Sequence, residues 1–316
     1  MTVPARVAAV EVPDRFAGRV ARVWGEPGRR WLGRLPALVE QCAQRWSLTV
    51  GPPFPLSYTY VAPATRADGS PAVLKLGVPG TAELATGAAA LRLAGGDGMA
   101  ALLDADLPAG ALLLERVEPG GQLTALAAAD DEAATAVLVD VMRRIHRPVP
   151  VSVPEPEPLP TVAHWGRAFA ALRDRHGGGT GPFSAALVER AERSYAELVA
   201  SAAPPVLLHG DLHHDNVLRS GRAGWLAVDP KGLLGEPAFE VGALLHNPWP
   251  DLLTWPEPGR LLARRVDQLA DGLGVDRARV RDWGFAFAVL SAVWLDEDGE
   301  PVDPHPLRCA ELLAEL

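Results

Sequence analysis

The chain has 316 residues, 48% of them hydrophobic, with 30 basic against 39 acidic side chains and a formal net charge of −9. That length allows about two lobes around a sizeable apolar core, and the acidic balance argues against nucleic acid as main partner, favouring a neutral or cationic small molecule. Cys42 and Cys309 lie far apart without metal-ligand spacing, so neither a disulfide framework nor a zinc site is expected, and a reducing cytoplasm fits.

Residues 1–16 carry no sustained apolar core behind basic residues, and no run reaches the roughly 18 apolar residues of a membrane span. Neither secretion nor membrane insertion is expected. Val20, Trp24, Trp31, Leu35, Leu38, Val39, Cys42 and Trp46 recur at helical spacing, which predicts packing helices over residues 1–47. Pro52, Pro53 and Pro55 end that pattern. Residues 58–64 and 71–76 then predict an antiparallel hairpin around Asp68-Gly69, a strong turn signal.

Lys75 falls in the returning strand among apolar neighbours, where an ammonium must be either paired or exposed. Residues 81–93 predict an Ala-rich helix with Glu83 in its first turn, placed either to complement the helix dipole or to pair with Lys75. Two further strands are expected at 100–104 and 111–117, followed by a turn-rich hinge at 118–121. Residues 1–117 therefore read as helices plus a strand-rich lobe, and 118–316 as a mainly helical one.

In the second part, residues 124–145 predict one long helix capped by Thr124, and 149–160 an extended proline-rich connector. A helix over 159–175 precedes the glycine run 177–181, which lacks the Lys-Ser or Lys-Thr of a phosphate-cradling loop and reads as flexible surface. Helices are expected at 184–201, 239–246, 258–273, 276–294 and 306–316, with Trp283, Phe285, Phe287 and Trp294 packing a core.

Residues 206–218 are the chemical centre: apolar strand, a run of polar groups from His209 to Asn216, apolar strand. A second strand at 225–228 ends in Asp229. Asp211 precedes Asn216 by five residues, and Asp229 follows thirteen later. Phosphoryl transfer needs a carboxylate to take a hydroxyl proton, oxygen ligands for Mg²⁺ and a cation on the phosphates. Asp211 suits the first task, Asn216 and Asp229 the second, and Lys75, oriented by Glu83, the third. Of 30 basic residues only Lys75 and Lys231 are lysine; a compact ammonium can reach one phosphate oxygen where a guanidinium does not fit, although a coding bias against lysine accounts for the count equally. Two other readings compete. His209, Asp211, His213, His214 and Asp215 would also serve a metallohydrolase, which leaves Lys75 and Asp229 without a role, and a kinase-like module could bind nucleotide without turnover.

The run His209-Gly210-Asp211-Leu212-His213-His214-Asp215-Asn216, with Asp229-Pro230-Lys231-Gly232, Gly235-Glu236-Pro237 and Leu112-Leu113-Leu114-Glu115-Arg116, resembles the aminoglycoside phosphotransferase family. It is most similar to the branch of streptomycin 6-phosphotransferases and hydroxyurea phosphotransferases. The resemblance implies an α+β, two-lobed protein-kinase-like fold with a small antiparallel-sheet N-lobe and a larger, mainly helical C-lobe. It implies transfer of the γ-phosphate of ATP, with Mg²⁺, to a small-molecule hydroxyl: an aminoglycoside such as streptomycin, inactivated as a means of antibiotic resistance, or hydroxyurea, or another metabolite or sugar. A cytoplasmic monomer or weak dimer is expected.

By the same resemblance residues 113–117 form the adenine-binding hinge, with Leu114, Glu115 and Val117 bordering it. Ser57 and Thr59 take the place of a glycine-rich phosphate loop. Lys231 would pair with Glu236 or meet the transferred phosphate, and His213 and His214 would pack or approach substrate. Asp296, Glu297, Asp298 and Glu300 would form a solvated loop or receive the cationic groups of an aminoglycoside.

Overall fold

The structure is a computed structural model that describes residues 6–148 and 159–316. All but the last two residues of the proline-rich connector expected at 149–160 lie outside them. Two units separate along the chain: one runs through Gly96 and takes in Ala100–Val117, the other holds Asp97–Met99 and Glu118–Leu316.

In the first unit, strands β3 (Tyr60–Thr65) and β4 (Pro71–Leu76) pair antiparallel from Tyr60 with Leu76 to Thr65 with Pro71. Asp68 fastens their turn, its Oδ1 accepting from the Ser70 N–H at 2.9 Å and from the Ser70 hydroxyl at 2.5 Å. With β1 (Arg6–Val7), β2 (Thr49–Val50), β5 (Leu102–Asp106) and β6 (Ala111–Glu115) they form one sheet in the order β1-β2-β3-β4-β6-β5, antiparallel except where β1 joins β2.

Side chains alternate across a strand, so Leu74 and Leu76 take one face and Lys75 the other. On the first face helix α1 (Asp14–Arg45) buries Phe16, Val20, Trp31, Leu35 and Val39 against Tyr60, Ala62, Leu74, Leu76 and Leu113. On the second, Lys75 stands between its ladder partners Val61 and Leu112, and helix α2 (Ala82–Ala94) sets Leu84 and Ala88 on Leu112. Glu83, in the first turn of α2, belongs to that same side. The helices expected over 1–47 form one long element broken at Gly25, whose φ of 55° and ψ of −130° interrupt the helical ladder. The strand expected at 100–104 runs two residues later, as β5.

The second unit departs further from expectation. The hinge at 118–121 is a strand, β7 (Pro119–Gln122), which pairs with β9 (Val217–Ser220), itself paired with β10 (Gly224–Ala227). A two-stranded sheet joins β8 (Val206–Leu208) to β11 (Leu233–Gly235), a strand too short to show any alternation in sequence. The long helix expected over 124–145 divides into α3 (Thr124–Ala129) and α4 (Asp131–Ile145), because the Asp130 carboxylate accepts from the Ala133 N–H and starts a new helix. The next helix divides at Gly166 into α5 (Val162–Trp165) and α6 (Arg167–Arg175); a Cβ at Gly166 would stand 2.6 Å from the Tyr195 ring.

Helices α7 (Ala185–Ala200), α8 (Val241–Leu244), α9 (Pro258–Leu273), α10 (Arg277–Glu297) and α11 (Pro304–Ala314) complete the unit. Their core is an edge-to-face aromatic stack: Trp283 meets Tyr195 at 5.1 Å and Phe239 at 5.0 Å, and Phe287 meets Phe239 at 5.3 Å and Trp294 at 5.6 Å. No helix of the described residues is long and apolar enough to cross a membrane.

Gly110, at φ +70°, makes the sharp turn into β6, and a Cβ there would sit 2.4 Å from the Gly77 carbonyl oxygen. Gly110→Ala is expected to lower stability by about 2–4 kcal/mol, through strain and collision together. A denaturant-unfolding midpoint equivalent to less than about 1 kcal/mol of change would contradict this.

Candidate active site

The residues singled out between His209 and Asp229 come together in the second unit, and the reason is a set of backbone anchors. Chain reversal after β8 uses Gly210 at φ 87°, where a Cβ would lie 2.5 Å from Leu233 and 3.0 Å from Trp165. Both amides of this turn are held by one buried carboxylate: Glu240 accepts from the His209 N–H at 2.6 Å and the Gly210 N–H at 2.8 Å. The His209 carbonyl in turn accepts from the Lys231 and Gly232 N–H groups at 2.9 and 3.1 Å.

His209 is fully buried and spends both ring nitrogens on the loop. Nδ1 accepts from the Asp211 N–H at 3.2 Å, so Nε2–H donates to the Val228 carbonyl at 2.9 Å. Burial pushes its pKa down, against the opposing pull of Glu240, Asp211 and Asp229. The neutral ring therefore ties the backbone of Asp211 to the residue just before Asp229. Asp229 itself adopts φ 60°, a left-handed conformation uncommon outside glycine and a mark of a constrained site.

Asn216 completes the loop. Its side-chain amide donates to the Asp211 carbonyl at 2.9 Å and approaches His213 Nε2 at 3.1 Å, while its own carbonyl accepts from the Val228 N–H at 2.8 Å. With both amide hydrogens directed inward, Oδ1 is left facing the other way as an acceptor. An amide oxygen on Asn216 and a carboxylate on Asp229, carried by backbones bonded through Val228, are hard oxygen donors of the kind Mg²⁺ takes. His213 lies 3.8 Å from the Asp211 carboxylate and 3.7 Å from that of Asp215. The contact with Asn216 favours Nε2 as acceptor; the 3.4 Å approach of the Asp215 N–H to Nδ1 belongs to the other tautomer.

His214 is packed inside the unit. It is buried beside Arg265, Nη2 of which stands 3.4 Å from its Nε2, and burial followed by the Arg265 charge holds its pKa well below the ordinary value. A guanidinium at that distance also disqualifies His214 as a metal ligand, and the engaged nitrogens of His209 do the same, which removes two members of the metallohydrolase set. Glu236, expected near Lys231 or the phosphate, is instead buried under α10: Arg279 meets it at 2.7 Å, the Trp283 indole donates to it, and the Ala203 N–H lies at 3.3 Å.

The acidic cluster is not a loop beyond a helix. Asp296 and Glu297 lie within α10 and Asp298 caps its end. Asp296 is drawn inward to Arg175 at 3.3 Å and His176 at 3.0 Å, Arg175 also reaches Glu297 at 3.8 Å, and the Glu300 N–H donates back to Leu295.

In the first unit the sheet places the other expected residues. Leu114 and Glu115 close β6, with Glu115 Oε2 accepting from the Ala101 N–H at 2.8 Å, and Val117 is buried just beyond. Thr59 lies over Gly77, where an added Cβ would meet its methyl at 3.5 Å and Leu84 of α2 at 3.6 Å. Between Ser57 and Thr59 the ring of Tyr58 is gripped by α1, with the Arg19 guanidinium over it at 5.2 Å and Trp24 edge-on at 6.1 Å.

Three partners of this loop went unread in the sequence. Glu240 is an isolated acid in an apolar run, the only signal it gave. Thr124, expected as a helix cap, donates its hydroxyl to Asp215 Oδ1 at 2.6 Å. Arg265, fully buried, bonds Asp131 at 2.5 Å, the Leu244 and Asn247 carbonyls at 3.1 and 2.6 Å, and His214.

Replacing Glu240 with Gln puts an amide donor against a backbone donor in a buried site, so Glu240→Gln is expected to cost about 2–3 kcal/mol. Accelerated amide exchange at His209 and Gly210 would accompany it; unchanged exchange would refute the anchor. His209, His214 and His246 all have folded pKa values below the ordinary 6.5, His246 at about 4, chiefly through burial. The unfolded chain binds more protons, so their stabilisation is full above pH 6.5 and lost as pH falls. Denaturant titrations should show a decline of up to about 1.4 kcal/mol per pH unit per histidine between about pH 6.5 and 4.5.

Residues 46–299 match the model of the aminoglycoside/hydroxyurea antibiotic resistance kinase family. The chain is 36% identical to a streptomycin 6-kinase of Streptomyces glaucescens, covering 96% of this chain and 97% of that one. It is 37% identical to a hydroxyurea phosphotransferase of Kitasatospora aureofaciens, covering 97% and 86%. Among solved structures it is similar to a thermostable variant of aminoglycoside phosphotransferase APH(4)-Ia in ternary complex with ADP and hygromycin B, with 16% identity, a TM-score of 0.58 and coverage of 87% and 97%. The fold is protein-kinase-like, and the chain belongs to the aminoglycoside/hydroxyurea antibiotic resistance kinase family.

Proposed function

We propose that the enzyme transfers the γ-phosphate of ATP to a hydroxyl of a streptomycin-type aminoglycoside. The observation that carries the reading is the Asp211–Asn216 loop, in which the asparagine side-chain amide donates to the aspartate's own carbonyl and the Asn216 carbonyl accepts from the Val228 N–H, one residue before Asp229. The likeness to a streptomycin 6-kinase over nearly the whole of both chains supports the acceptor. Hydroxyurea is the second acceptor, on the likeness to its phosphotransferase.

In this mechanism the Asp211 carboxylate orients the acceptor hydroxyl and takes its proton as the new O–P bond forms and the bond to the ADP oxygen breaks. Asn216 and Asp229 would hold Mg²⁺, which when bound neutralises charge on the phosphates. Lys75 would contact the α and β phosphates, with Glu83 on the same face of its sheet to orient it, and Ser57 and Thr59 would take phosphate contacts that glycine amides make elsewhere. Leu114, Glu115 and Val117 would border adenine. His213, close to Asp211 and Asn216, would keep the loop in register and Lys231, tied by its N–H to the same turn, would meet the transferred phosphate.

A panel of streptomycin, other aminoglycosides, hydroxyurea and amino sugars with labelled ATP tests the acceptor, and streptomycin is expected to be turned over. Asp211→Ala should lower kcat by about 10²–10⁴-fold while the ATP dissociation constant stays within about threefold. Retained turnover in that variant would sink the assignment of the base; ATP binding without transfer to any acceptor by the natural chain would make it a binding module.

A further inference from the structure

The segment after α8 is built against the catalytic loop. Arg265 Nη1 donates to the carbonyls of Leu244 and Asn247 while Nη2 of the same guanidinium touches His214, so one buried cation bolts residues 244–247 to the loop that carries Asp211 and Asn216. His246 lies inside that bolted segment and is 4% exposed. Its ring cannot turn. Nδ1 lies 3.0 Å from the Gly242 carbonyl, the Phe287 ring lies 5.7 Å away at a 32° tilt, and its own carbonyl is held by His305 Nε2 at 2.9 Å, with Trp249 stacked on His305 at 5.4 Å.

The bond to Gly242 fixes the tautomer: a carbonyl only accepts, so Nδ1 carries the hydrogen and Nε2 the lone pair. Nε2 bonds no described residue. Among the described residues the polar atoms sealed without a partner are Trp31 Nε1, His146 Nε2, His214 Nδ1 and Gln268 Oε1, and His246 Nε2 is not one of them. A fixed acceptor without a partner, yet not walled in by apolar packing, is one that an incoming donor can reach. The Asp211 charge acts on this ring, which sets it in the electrostatic neighbourhood of the base.

We propose that His246 Nε2 is an acceptor-binding group, taking a hydrogen bond from an N–H or O–H of the phosphoryl acceptor while Asp211 takes the reacting hydroxyl. This rests on the phosphotransferase reading above. A neutral imidazole suits a guanidino or amino substituent because it offers a directed lone pair without the charge repulsion an imidazolium would impose, and burial keeps the ring neutral. It also selects: an acceptor lacking the donor would leave a buried polar atom unmatched, which a site discriminates against more strongly than it does a missing methylene.

Steady-state kinetics separate the contribution. With streptomycin, or with whichever member of the panel the natural chain phosphorylates, His246→Phe is expected to raise the acceptor KM by about tenfold, the loss of one hydrogen bond. The ATP KM should stay within about twofold. His246→Gln, which restores an acceptor oxygen, should recover most of the loss. If the Phe variant does not fold, the ¹⁵N signal of His246 Nε2 in the natural chain serves instead, and must move toward lower frequency on saturation with the acceptor. A folded Phe variant with unchanged acceptor KM, or an Nε2 signal indifferent to acceptor, overturns this inference alone. A natural chain that phosphorylates no acceptor overturns the functional reading, and this inference with it.

Discussion

The geometry of the second unit depends on one carboxylate. Glu240 holds two consecutive amides, those of His209 and Gly210, at the point where the chain leaves a strand and must present Asp211. Buried amides without partners cost of order 1–3 kcal/mol each, so the turn and the carboxylate require one another. Everything chemically relevant follows from that pin: His209 transfers the constraint to Val228, Asn216 bonds back to Asp211, and Asp229 inherits a conformation it would not adopt freely. The loop is held because most of its inward-facing polar atoms are already used.

A second layer repeats the principle beneath the first. Arg265, paired with Asp131, contacts His214 from below, and Thr124 reaches Asp215 from the start of α3. Since Asp131 opens α4 and Arg265 lies in α9, the loop is braced by helices distant in sequence. A buried guanidinium is tolerated only when fully bonded, and here carboxylate and carbonyl oxygens satisfy it.

Much of this was legible in the residues themselves. The hairpin at Asp68-Gly69 and the strand carrying Lys75 follow from apolar runs on either side of an Asp-Gly turn, and the polar run from His209 to Asn216 announces a site by its density. What stayed hidden shares a cause: pairing between segments far apart in sequence. β7 looks like a hinge because its glycines and proline carry no strand propensity, and only β9 makes it a strand. Glu236 and Asp296 look like surface acids because the residues that draw them in, Arg279 and Arg175, lie 43 and 121 residues away. Glu240, a lone acid in an apolar run, and Arg265, one of two adjacent arginines, are both buried, yet nothing local says with what they pair.

The grip of α1 on Tyr58 has a consequence for how such a chain can vary. Residues 57–59, which hold no glycine, borrow their shape from a helix some thirty-five positions upstream, through Arg19 and Trp24 against the Tyr58 ring. The kink at Gly25 then sets the angle at which that helix delivers both side chains. Length changes within α1 are therefore not silent: one helical residue gained or lost after Gly25 would rotate the grip by about 100° and unmoor residues 57–59.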